Sequence, residues 1–127
     1  MQICKFCSTP VDPGIAQFAA EMQERVNRAC NQASSIRNAA GAMWVFFLVR
    51  FIPCLGLAGL IGFLFAFFFI PIASIFWQVR FGDIQSSDVD FKSAKRNRNI
   101  ALLIWAPAVI LILLWLTMLV LAILRRV

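Results

Sequence analysis

Histidine is missing from this sequence altogether, and charged residues make up only 14% of it. Without histidine the chain lacks the commonest general base at neutral pH and the commonest axial ligand for haem. The usual side-chain ligand of chlorophyll-type magnesium is missing too, leaving only water or a backbone carbonyl for that role. Acidic residues number six, and none falls between Ala39 and Val79 or between Asn99 and Leu124. A proton path through a membrane needs Asp, Glu or His inside a span. General acid–base catalysis needs positioned titratable groups. The sequence therefore argues against an enzyme, and against a pump or quinone-reducing subunit acting alone.

What the sequence has in excess is apolar surface. Hydrophobic residues reach 61%, far above the soluble norm of roughly half. Between Ala39 and Val79 the one charge is Arg50, and from Asn99 to Leu124 there is none. Both stretches exceed the roughly 20 residues that cross about 30 Å of hydrocarbon. A surface helix of a soluble protein shows a polar face, and these runs have none to offer. Only helices or closed barrels satisfy their backbones in lipid. The runs are continuous rather than alternating, so the expected fold is an all-α integral membrane protein. Residues 1–38 are polar, with no apolar core ahead of a cleavage site, so no signal peptide is expected there. The net charge is +6, yet the basic residues flank the apolar runs, where anionic headgroups explain them. Nucleic acid is not an expected partner.

Residues 1–12 form a short head carrying Cys4 and Cys7. Asp12 followed by Pro13 is a helix-start signal, with the carboxylate capping and the proline at the first helical position. Residues 13–38 read as a cytosolic amphipathic helix. Ile15, Ala19, Met22, Val26, Ala29, Ala33, Ile36 and Ala40 recur in steps of four and three, a heptad seam. Glu21 precedes Arg25 and Glu24 precedes Arg28 by one turn. Most seam residues are small, which suits close helix–helix approach. Two readings stand side by side: the helix folds back on its own chain or lies on the membrane, or it docks on a partner.

The stretch 39–79 would span about 60 Å as one straight helix, twice the hydrocarbon thickness. It is punctuated by Arg50, Pro53, Gly56, Gly59 and Gly62. Transmembrane helices are expected at about 38–53, 60–79 and 99–123, with Pro71 and Pro107 inside the last two. The alternative has two spans and a re-entrant hairpin over 43–79. Ser87 and Asp90 resemble a capping box opening a basic helix at the end of the loop 80–98. Trp105 and Trp115 are expected to approach the two membrane interfaces. Three spans place the N-terminal segment and the loop 80–98 on the cytoplasmic side by the positive-inside bias, with the C-terminus opposite. The expected location is a bacterial-type inner or cytoplasmic membrane.

Cys4 and Cys7 stand at the spacing with which two thiolates grip one tetrahedral metal, typically zinc. Cys30 is a candidate third ligand if the head folds back. The fourth would come from Asp12, water or another chain, because Cys54 is placed on the other side of the membrane. The head resembles the CxxC knuckle of zinc-ribbon-headed small bacterial membrane proteins, over residues 1–10 only. That resemblance implies zinc as the cofactor. The competing readings of the pair are reduced thiols or a disulfide, and least of all a redox site, since no strand–CxxC–helix order is available.

Arg50 is expected either to snorkel to the headgroups or to pair with a partner's acid. Gly56 and Gly59, with Gly62, read as a turn or as a close helix contact. Phe63, Phe65, Phe67, Phe68 and Phe69 point all round a helix and offer packing to lipids, pigments or subunits. Two functions are carried forward. One is a non-catalytic accessory subunit of a larger membrane complex, respiratory or photosynthetic, that contacts partner subunits, lipids or pigments. The other is a stand-alone zinc-knuckle adaptor or regulator acting as a homo-oligomer.

Overall fold

Asp12 does what its position predicts: its side chain accepts a hydrogen bond from the Gly14 amide, and Pro13 opens the first helix. The structure, a computed structural model, describes residues 2–3, 7, 9–85 and 87–126. Helix α1 runs Pro13–Val49, α2 Gly56–Phe81 and α3 Val89–Leu124. Ahead of them, β1 (Gln2–Ile3) pairs antiparallel with β2 (Pro10–Val11).

The amphipathic helix and the first expected span are therefore one helix. Between Asn38 and Val49 only Gly41 opposes helix, at a cost of about 1 kcal/mol, and nothing else there breaks it. The chain turns at 50–55, where the amides of Phe51 and Ile52 bond to Leu48 and Val49 carbonyls. The expected end at residue 53 thus moves back to Val49. The second and third expected spans lie inside α2 and α3. These two helices are long and apolar enough to cross a membrane, while α1 does not meet that test. The connection 80–98 shrinks to residues 82–88, because α3 begins at Val89. Its cap is Asp88, which accepts from the Asp90 amide, one residue from the expected Ser87.

α1 runs antiparallel to α2 and parallel to α3. Its contacts with α3 keep one register: the Cys30 thiol meets the Asp90 carbonyl, Arg37 meets Asn97, and Trp44 meets the Ile104 carbonyl, each sixty residues apart. The buried residues recur at heptad spacing on α1 and α3 and every eleven residues on α2. They are Val26, Ala29, Ala33, Ile36, Ala40 and Met43 on α1, Gly59, Phe63, Ala66, Ile70, Ser74, Trp77 and Phe81 on α2, and Phe91, Ala94, Ala101 and Ala108 on α3. The seam of α1 keeps the seven-residue repeat of coiled-coil packing, whereas the eleven-residue repeat of α2 matches a nearly straight helix. Alanines at the seam let the backbones approach closely.

Three tryptophans tie the bundle together. Trp44 of α1 donates its indole N–H to the Ile104 carbonyl of α3 at 3.1 Å. Trp105 of α3 donates to the Phe67 carbonyl of α2 at 3.0 Å. Trp77 of α2 donates to the Ala29 carbonyl of α1 at 2.9 Å, in a buried bond. The Trp105 bond has a local cause. Pro71 lies inside α2 and has no N–H to give the carbonyl four residues back, that of Phe67. The orphaned carbonyl takes the indole proton instead. The Trp105 indole N–H is thus taken up between α3 and α2.

Candidate functional site

The seam of α1 answers the first question about docking. Met22, Val26 and Ile36 pack within the chain's own core, so the self-packing reading takes these three residues. The reason is length: α2 and α3 both lie along α1 and consume its apolar edge. Ile15, 67% exposed, lies on the first turn of α1, outside the core.

Arg37 and Asn38 on α1 stand level, by the sixty-residue register, with Asn97, Arg98 and Asn99 on α3. Both helices therefore change from polar to apolar at one plane. Below it the end of the bundle is polar and aromatic. Arg98 lies 5.1 Å over the Trp77 ring and donates to Gln78, and Lys95 lies 5.0 Å over Phe91. Arg25 approaches Asp83 at 3.8 Å, an exposed pair of the kind worth about 0–1 kcal/mol. Glu24 binds Arg28 one turn on.

Above the plane the helices end at different heights. α1 stops at Val49, level with Val109, whereas α3 runs on to Leu124. The last core contact on α3 is Ile112. The remaining twelve residues, 113–124, are all exposed and project about 18 Å. Leu113, Leu114, Met118, Val120 and Leu121 are among the apolar side chains left uncovered there. α2 has a second uncovered apolar face at its other end: Ile72 and Phe76 flank a groove with Gln32 and Ser35 of α1.

The hairpin tip between α1 and α2 is built by glycine. A Cβ on Gly59 would lie 2.6 Å from the Arg50 nitrogen and 2.8 Å from the Phe46 oxygen, and one on Gly56 would lie 2.9 Å from the Arg50 oxygen. The two glycines thus admit the backbone of α1, and the close-contact reading holds along with the turn. Arg50 is exposed at this tip, and among the described residues no carboxylate lies within ion-pair distance of it. α2 starts beside it with Leu55 at the cap position and no side-chain cap. Beneath them, Trp44, Phe47, Arg50, Leu60, Phe63 and Trp115 help to line a groove of about 630 Å³ against α3.

Cys30 lies on α1 seventeen residues past Pro13, about 26 Å along the axis. Its thiol donates to the Asp90 carbonyl at 3.3 Å. Burial, then the charges of Asp90 and Asp88, push its pKa up. Cys4 lies outside the described residues, and Cys7 is exposed. Among the described residues no three Cys, Asp or Glu side chains converge. For Cys30 to join a metal, the head would have to fold back along α1.

Sequence reasoning missed the cross-helix role of Trp44 and Trp77 and the groove under Arg50. Pro71 was a signal for the Trp105 bond, since a proline inside a helix always leaves a carbonyl to be claimed. The absence of Ser, Thr, Asp or Asn ahead of Gly56 was a signal for the bare start of α2. No protein-family model, curated protein sequence or solved structure matches the chain.

Proposed function

We propose that this chain is a non-catalytic accessory subunit of a larger membrane complex. The observation that carries this reading is the pair of long helices whose outward faces are apolar and uncovered, above all residues 113–124 of α3. A lone chain would leave that surface to lipid alone. A subunit would also offer it to neighbouring helices, which pack by van der Waals contact in lipid. The shared polar-to-apolar plane at Asn38 and Asn99 supports insertion with the polar end in the cytoplasm, as does the basic character of that end. The bilayer would be a bacterial-type inner membrane. Respiratory or photosynthetic assemblies are the natural class of host, with pigments or lipid tails against the phenylalanines of α2.

A second reading has one observation in its favour. β1 and β2 bring the two ends of the segment holding Cys4 and Cys7 together, the arrangement in which a CxxC grips a metal from a tight turn. A zinc-knuckle adaptor acting as a homo-oligomer would use that head.

Gentle detergent extraction followed by native-size and composition analysis separates the readings. Co-migration with other membrane polypeptides supports the subunit. A homogeneous particle of this chain alone overturns it, and zinc in that particle, lost on Cys4→Ser with Cys7→Ser, supports the adaptor.

A further inference from the structure

We infer that the groove beneath the α1–α2 tip seats one anionic phospholipid of the leaflet opposite the head, an inference that rests on the membrane placement above. The geometry combines three features at one place. The first is the groove itself, about 630 Å³, within the roughly 300–1,000 Å³ range of small-molecule sites. Its walls are Phe47, Leu60 and Phe63 from the hairpin and Trp115 from α3, surfaces that suit an acyl chain. The second is Arg50 on the rim, the one charge between Ala39 and Val79. An arginine at such depth demands an anion, and its planar fork matches a phosphate. The third is the N-terminus of α2, which has no side-chain cap, packs against the Arg50 backbone and adds a positive dipole end beside the rim.

The step in the bundle explains why a lipid and not water completes this spot. α3 continues about 18 Å past its last core contact, so the tip stands below the far end of α3. A headgroup drawn down to Arg50 would satisfy both the guanidinium and the dipole end of α2, which the hydrocarbon cannot. A partner's carboxylate is the rival occupant.

The test uses the full chain reconstituted in vesicles, with tryptophan emission quenched by lipids brominated on their acyl chains. Trp44 and Trp115 line the groove and report its occupant. Brominated phosphatidylglycerol is expected to quench at about fivefold lower mole fraction than brominated phosphatidylcholine, the ratio set by one arginine–headgroup attraction. Arg50→Gln should remove most of that preference, while Arg125→Ala with Arg126→Ala should leave it. Equal quenching by the two lipids in the unaltered chain overturns the site without any variant. A preference that survives Arg50→Gln also overturns it. Quenching by neither lipid overturns the membrane placement itself, and the lipid site with it.

Discussion

Gly59→Ala sets two opposing effects against each other at the helix crossing nearest the tip. Alanine is the better helix former by about 1 kcal/mol, so an unobstructed site would gain stability. At Gly59 the new methyl meets two backbone atoms of α1, at 2.6 and 2.8 Å. Backbone cannot swing aside, so α1 and α2 must separate, and overpacking of this kind costs about 1–3 kcal/mol. The clash is double and the site is buried, which puts the cost at the upper end. The net expectation is a loss of about 1–2 kcal/mol after the propensity gain is subtracted. Two controls carry the reasoning. Gly41→Ala meets nothing within 4 Å and should gain up to about 1 kcal/mol. Gly62→Ala meets side-chain atoms of Phe46, its Cγ among them at 2.8 Å, so Phe46 must change its χ1 rotamer, and a stability between those of the other two variants is expected. Reversible unfolding of the detergent-solubilised protein by SDS, followed by circular dichroism, gives all three. A Gly59→Ala protein as stable as Gly41→Ala would refute the close backbone crossing.

Trp77→Phe removes a buried donor and leaves the Ala29 carbonyl to its helical bond, so a loss of about 1 kcal/mol is expected in the same assay. Pro71→Ala restores an N–H to Phe67, competes with Trp105 for its carbonyl, and should shift the Trp105 emission; an unchanged spectrum counts against the exchange. The Cys30 thiol is held neutral by burial and by Asp90 and Asp88. Its contribution to stability is therefore present below the unfolded thiol pKa and is lost as pH rises through the higher folded value. Alkylation of Cys30 at mildly alkaline pH should accordingly be slower in the folded protein than after unfolding in SDS, as read by mass spectrometry of the peptides. In a cysteine-free background, an impermeant thiol reagent on intact cells should label Arg126→Cys and spare Ser87→Cys, and the reverse pattern would invert the topology.

Much of this architecture is readable from residue order because it depends on local chemistry. The Asp12–Pro13 start, the break after Arg50 and the long apolar runs follow from capping, from proline and glycine, and from the absence of charge. The seam from Met22 to Ala40 is legible as a seam. Its owner is not, since a heptad edge of alanines fits a partner as well as it fits the chain's own helices. The fusion of 13–38 with 39–49 was hidden by the change in composition at Ala39, a boundary of environment and not of conformation. Arg50 stood out as a lone charge, but its groove is closed by α3, far from the hairpin in the chain. No periodicity encodes how far α3 outruns its neighbours.

The three indole bonds form a closed circuit, α1 to α3, α3 to α2, and α2 back to α1. Sliding any one helix by a single turn, about 5.4 Å, breaks two of the three at once. Pistoning is thereby blocked, and a push on the polar end can reach the overhanging end only as tilt or rotation of the whole rod. Such a part is suited to hold position and to report torque, not to ratchet.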